Sequence, residues 1–253
     1  MANMEFWKQN QYNTTGVVKV DSNTATAQFL FDRSTALGYS SSGYNSITGT
    51  IISVEFSTPT VISGVFIQNH NLKQFRVFYN SATANTFSTP INETTNSATS
   101  SYFFFNSVTV SSIQLQMDDT IAGSVEKSVG EFVVSERRLR FERNPTAGNY
   151  KRIIDRKQIR HIMPDGGTSV YNIKDKLKAN IKLGFISDSF TSQLETAFVA
   201  AKPMYFLPFP TTSAWDGKAY EVNWVRDFNF NYGEDSKTQG QSGDLDLEET
   251  SNA

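Results

Sequence analysis

The chain contains no cysteine, which excludes disulfide frameworks, thiol nucleophiles and zinc–thiolate centres. Histidine is nearly as scarce. His70 and His161 are the two, far apart in sequence, so no histidine-rich metal site is expected. Charged residues make up 19% of the chain and the formal net charge is −2, which leaves no uniform basic footprint for nucleic acid. No stretch reaches ~18 consecutive apolar residues, so no membrane-spanning helix is expected. The opening Met1-Ala2-Asn3-Met4-Glu5-Phe6-Trp7 lacks the basic-then-apolar order of a secretory signal. The expectation is a protein made in a cytoplasm and soluble there.

Aromatic residues are abundant, at 13% with 20 Phe and 10 Tyr in 253 residues. Flat rings pack well on pleated sheets, and this length allows one large β domain or two smaller ones with separate cores. The pattern changes near residue 135. Before it, short alternating segments sit among Ser, Thr and Asn. Ile52, Val54 and Phe56 alternate with Ser53 and Glu55, Pro59 interrupts, and residues 61–67 read as a more buried strand. Phe75, Val77 and Tyr79 follow, then a loop over 80–101, residues 102–105, Val108 and Val110, Ile113, Leu115 and Met117, and residues 132–134. Short strands at this spacing predict a β-sandwich.

After residue 135 comes a basic run holding Arg137, Arg138, Arg140, Arg143, Lys151, Arg152, Arg156, Lys157 and Arg160, then a turn at Pro164-Asp165-Gly166-Gly167. Leu177, Ala179, Ile181, Leu183 and Phe185 alternate with Lys176, Lys178, Asn180, Lys182 and Gly184, which predicts a strand with a lysine face. Ser187-Asp188-Ser189 supplies a helix N-cap. Phe190, Leu194, Phe198 and Ala201 form one apolar stripe, and Pro203 stops the helix. Residues 220–230 alternate as one long strand. The expected division is residues 1–135, 136–233 and a flexible acidic tail over 234–253.

No catalytic constellation emerges, and neither enzyme activity nor a cofactor is expected. Asp118 and Asp119 are strand neighbours that point to opposite faces, which suits a turn better than acid–base work. His161 has no identifiable partner. Gly166-Gly167 precedes a strand, not the helix of a phosphate cradle. Asn13-Thr14-Thr15 and Asn92-Glu93-Thr94 match the glycosylation pattern without a secretory signal. The basic run admits three readings: contact with acidic protein surface, a solvated strand face, or phosphate binding.

Residues 25–135 resemble a discoidin (F5/8 type C, galactose-binding-like) jelly-roll domain. The residues concerned are Ala27-Gln28-Phe29-Leu30-Phe31-Asp32-Arg33, 51–56, Val65-Phe66-Ile67-Gln68-Asn69-His70-Asn71-Leu72, 75–79, 108–117 and Val129-Gly130-Glu131-Phe132-Val133-Val134. Residues 136–250 resemble, in their order of strands and single helix, the tail-tube-like domain of phage distal tail and related baseplate proteins. The two parts stand in the reverse of the usual order. The fold class expected is mainly β: an N-terminal jelly-roll sandwich plus a C-terminal tail-tube-like β-sandwich with one α-helix.

The resemblance implies a virion tail component, a homo-oligomeric ring, commonly hexameric, around the tail lumen. Its sandwich would contact neighbouring tail or baseplate proteins or host-surface glycans, and no specific nucleic acid is implied. The candidate subunit contacts are Arg137, Arg138, Arg140, Arg152, Lys176, Lys178 and Lys182, answered by a neighbour's acidic tail. The rival reading is a carbohydrate-binding module. Tyr39, Tyr44 and Phe87, in the loops 34–46 and 80–101, are then candidate glycan contacts, or else loop anchors.

Overall fold

A computed structural model describes residues 3–12, 16–33, 37–42, 50–82, 87–123, 125–146, 148–200, 203–212, 215–232 and 240–250. Its strands, in chain order, are β1 (Glu5–Trp7), β2 (Gly16–Val20), β3 (Tyr39–Ser40), β4 (Thr50–His70), β5 (Leu72–Ser81), β6 (Phe87–Glu93), β7 (Ser101–Thr120), β8 (Ser128–Ser135), β9 (Arg137–Arg140), β10 (Tyr150–Ile162), β11 (Thr168–Ile186), β12 (Met204–Leu207), β13 (Tyr220–Trp224), β14 (Phe230–Tyr232) and β15 (Gln241–Glu249). A 3-10 helix covers Thr24–Leu30, and an α-helix, α1, covers Asp188–Val199. The fold is mainly β, and its residues separate into two compact units.

The first unit, Lys8–Arg137, is a β-sandwich made from one bent sheet. In sheet order its strands are β3, β8, β4, β7, β5 and β6, with β2 beside β4. Strand β4 carries the bend. Its first half, Thr50 to Glu55, pairs with Met117 to Ser112, and its second half, Thr60 to Ile67, pairs with Val110 to Ser101. The ladder breaks between Glu55 and Thr60, where Pro59 has no amide hydrogen to donate. Proline thus interrupts the pairing without ending the strand. Ile52 and Val54 from one half and Val65 and Ile67 from the other share one buried core with Phe75, Ile113, Leu115 and Phe132. The interval 80–101, read as a loop from the sequence, contains β6, which pairs with β5.

The second unit combines Met1–Trp7 with Arg138–Ser251. Its sheet runs β10, β11, β15, β13, β12, β1, β9, with β14 also on β15. Residues 1–7 therefore do not belong with the sandwich as expected: Phe6 pairs with Phe206 across β1 and β12 and joins the core of this second unit. Nor is the acidic C-terminal stretch all tail, since Gln241–Glu249 is a strand inside the sheet. Residues 220–230 are not one strand either. β13 ends at Trp224, where the Val225 amide donates to the Asp246 carbonyl at 2.9 Å, and β14 begins at Phe230.

The predicted cap forms at α1. The Ser187 hydroxyl accepts from the Phe190 amide at 3.1 Å and is itself held by Glu142 at 2.8 Å. Phe190, Leu194 and Ala197 are the buried stripe. Phe198 is only half-buried; it leaves the stripe and meets Trp224 edge-on, with ring centroids 5.4 Å apart. Ala201 lies outside the described residues. Leu194→Ala is accordingly expected to cost about 2–5 kcal/mol. Phe198→Ala, which removes a half-exposed ring, should cost roughly 1–2 kcal/mol. Urea unfolding of both variants measures this, and equal losses would contradict the placement.

Candidate interaction surfaces

Among the described residues, exposed apolar side chains gather on a hairpin arm. β10 and β11 pair from Tyr150↔Ile181 out to Ile162↔Thr168. On its other side β11 is paired with β15 only from Lys178 to Ile186. From Leu177 toward the turn, the two strands have only each other among the described residues. Gly166, at φ +83°, makes the turn possible, and Met163 and Gly167 close it, the Met163 amide donating at 2.7 Å. Ile159 is 45% exposed, Ile162 81% and Tyr171 59%. Water-facing apolar residues on a two-stranded ribbon lack the third strand or packed face that makes such ribbons stable alone. His161 stands here, edge-on to Tyr171 with centroids 5.8 Å apart.

The structure distributes the predicted basic contacts among several internal roles. Arg138 donates to the Thr196 carbonyl at 2.7 Å near the C-terminus of α1, where a cation meets the negative end of the helix dipole. Arg140 reaches the buried Glu5 carboxylate at 3.0 Å. Arg152 contacts Asp216 at 2.8 Å and the Tyr220 hydroxyl at 2.6 Å. Burial, and then the Asp216 carboxylate, push that Tyr220 hydroxyl pKa well above its ordinary value. Arg137 is exposed.

The lysine face has its answer inside the same chain. Lys178 stands opposite Glu248 and Lys182 opposite Asp244 in the β11–β15 ladder, while Lys176 stands opposite Asp155 across β10. Lys178 also contacts Asp155 at 2.8 Å, which raises its pKa. Asp244, Asp246, Glu248 and Glu249, among the acidic residues expected to reach a neighbour, are thus used within the chain, because β15 pairs with β11; Glu234 and Asp235 lie outside the described residues. Cross-strand opposite charges favour this register.

A second surface in this unit is aromatic. Trp224 lies 5.9 Å from Phe228, Phe198 lies 5.8 Å from Phe228, and Phe228 lies 4.9 Å from Phe230, by ring centroids. All four rings are half-buried, beside the exposed Val199 and Val225. The Trp224 indole nitrogen is buried without a hydrogen-bond acceptor among the described residues.

Of the three predicted glycan contacts in the sandwich, Tyr39 is the one whose side chain the structure describes. Tyr39 is fully buried, its hydroxyl donating to the Ser22 carbonyl at 2.9 Å, so it anchors its loop and offers no platform. Tyr44 lies outside the described residues, and Phe87 opens β6 opposite Asn80. The outer face of the bent sheet is better suited to recognition. Gln114 and Gln116 of β7 stand beside Phe78 and Arg76 of β5, in register, and Ser53 of β4 adjoins Gln114. Arg76 lies over the Phe78 ring at 5.7 Å and pairs with Asp118 at 3.2 Å. Lys19 is similarly matched by Glu55 at 2.6 Å, so the face is polar and locally neutral. Alternation alone carried the signal for it: every second residue of 74–78 and 113–117 is polar or aromatic and points away from the core.

Two further arrangements concern chemistry. Asp118 and Asp119 are held separately, Asp118 by Arg76 and Gln116 and Asp119 by Lys73 and the Thr120 amide, so they do not form an acid pair. His70 is buried, with Nδ1 accepting from the Leu72 amide at 3.1 Å and Nε2 lying 3.0 Å from the Ser101 hydroxyl. This assigns the proton to Nε2, and burial lowers the imidazole pKa to about 4. Among the described residues no cluster of three or more acidic or histidine side chains is placed to hold a metal ion, and no helix is long and apolar enough to cross a membrane.

No protein-family model matches the chain, and no curated protein matches it. Solved structures do. The chain is similar to a chitosan-binding module of a chitosanase/glucanase from Paenibacillus sp. IK-5, at 14% identity over 51% of this chain and 98% of that one, with a TM-score of 0.44. It is similar to an F5/8 type C domain from Bacteroides fragilis, at 10% identity over 53% and 98%, TM-score 0.42. A Clostridium perfringens module solved with GalNAc-β-1,3-galactose follows at 13% identity over 50% and 97%, TM-score 0.39. Each spans about half of this chain, and likeness at this level carries neither a ligand nor a site across.

Proposed function

We propose that this chain is a non-catalytic structural subunit that joins copies of itself through the β10–β11 arm and presents, on its sandwich unit, a surface for neutral glycans. The observation that carries the assembly half is the exposure of Ile159, Ile162 and Tyr171 on a ribbon that has no third strand among the described residues. Covering such residues removes apolar area from water at roughly 25 cal/mol per Å². The finer form of this half is the tail ring implied by the order of elements, commonly six copies around a lumen, contacting neighbouring tail or baseplate proteins. Light scattering and electron microscopy of the full chain test it. A ring or tube is expected, and a strict monomer at high concentration would overturn it.

The glycan half is supported by the outer face around Phe78. Side-chain amides supply paired donors and acceptors for hydroxyls, the ring offers an apolar platform, and the matched charges of Arg76 with Asp118 and Lys19 with Glu55 favour an uncharged ligand. The Arg76 Nε, buried and without an acceptor among the described residues, leaves a donor to be satisfied. Screening the full chain against neutral and anionic oligosaccharides should select neutral ones, with binding lost in Phe78→Ala and Gln116→Ala. Selection of anionic sugars, or binding unchanged by both substitutions, would remove this half.

A further inference from the structure

Resting on the self-association reading, we propose that the arm of one copy seats on the aromatic patch of Phe198, Trp224, Phe228 and Phe230 in a second copy. Three observations point to that occupant. The patch carries a buried indole N–H with no acceptor among the described residues. An unmet buried donor is unfavourable, and an incoming strand brings carbonyl oxygens. The rim of the patch, Val199 at 71% and Val225 at 58% exposure, matches in kind the exposed Ile162 and Val170 near the arm tip.

Charge agrees with shape. Arg160 and His161 are exposed beside the tip, and Glu195 and Asp227 are exposed beside the patch. An arm-to-arm contact would instead bring the Arg160 of two copies together, which like charge opposes; Arg156 is already paired with Asp175 at 2.9 Å.

The ladder excludes an arm reaching its own patch. Trp224 stands opposite Leu247, and Leu247 opposite Ala179 on β11; Tyr232 stands opposite Gln241, and Gln241 opposite Ile186. The patch therefore lies along the stretch of β11 from Ala179 to Ile186. The arm leaves in the opposite direction, from Leu177 to Thr168. Eleven residues of extended strand separate Thr168 from Ala179, roughly 35 Å at ~3.3 Å per residue. A surface at one end of a sheet that fits a projection at its other end makes a head-to-tail contact, which closes as a ring or runs on as a filament.

Sedimentation velocity on the full chain tests this with two exposed substitutions, Ile162→Asp in the arm and Val199→Asp in the patch, each checked for an unchanged circular dichroism spectrum. The wild type should assemble, and each variant should associate about 30-fold more weakly or worse, as loss of an interface anchor implies. Mixing the two variants should yield a one-to-one pair and nothing larger, because only one intact arm and one intact patch then face each other. Assembly of Val199→Asp like the wild type, or no pairing on mixing, would overturn the head-to-tail contact while leaving self-association standing. A wild type that stays monomeric at every concentration would overturn both.

Discussion

Phe6→Ala is expected to destabilise the unit that contains residues 138–251, with little effect on the sandwich. The Phe6 ring is fully buried, 5.4 Å from Phe141 and 5.6 Å from Phe206 by centroid. Its strand lies between β12 and β9, so three segments distant in sequence meet at one ring. Truncating a buried phenylalanine costs about 3–5 kcal/mol, a large part of a typical domain's 5–15 kcal/mol. Deleting residues 1–7 should cost more, because β12 and β9 also lose their ladder partner and the buried Glu5, 3.0 Å from Arg140, goes with them. Amide hydrogen exchange reads the result strand by strand. β11 and β12 should lose protection while β4 and β7 keep it. Uniform loss across both units, or a change below about 1 kcal/mol, would contradict the assignment of β1.

Acid should weaken the sandwich unit well before its carboxylates are protonated. His70 titrates at about 4 in the folded chain against an ordinary 6.5. Between those values the unfolded chain binds the extra proton, so stability is present above pH 6.5 and falls as pH drops toward 4. The linkage amounts to about 2 kcal/mol between pH 7 and 5 and about 3 kcal/mol by pH 4. The cause is burial: a charged imidazole would lose water, and its Nδ1 is already engaged by the Leu72 amide. His70→Gln should flatten the slope between pH 7 and 5, even if it lowers stability at pH 7. Exchange protection of β4 and β5 across that range, compared between wild type and variant, measures it. Identical slopes would show that another group carries the dependence.

Much of the local structure was legible from residue order. Alternation in Ile52–Phe56 and in Leu177–Leu183 specified strands and their inward faces, because side chains on a strand switch sides at every residue. The expected run to Phe185 fails at its end, where a register shift exposes Phe185 and buries Ile186 instead. The Ser187 cap, the Leu194 face of α1 and the Pro164–Gly167 turn were equally readable, since each depends on bonds or dihedrals within a few positions. Pro59 reads as the end of one run before a second strand, but β4 continues through it; only the ladder to β7 breaks there, because proline has no amide hydrogen to donate. Period alone placed Phe198 in the stripe; packing gave that place to Ala197 and turned Phe198 toward Trp224.

Strand partners were not legible. Glu5–Trp7 is three residues long and shows no period of its own, yet it joins strands some 130 to 200 positions away. The stretch from Gln241 to Glu249 resembles a mobile acidic tail by composition, and becomes a strand because β11 and β13 offer it two open ladders and opposite charges. The same pairing engaged Asp244, Asp246 and Glu248, three of the acids expected to reach a neighbour. It also left residues 155–175 without a third strand among the described residues, which exposed the arm. Residue order decides what can alternate, cap and turn. Which edges meet depends on hydrogen bonds between distant segments, and those bonds are alike for every sequence that can reach them.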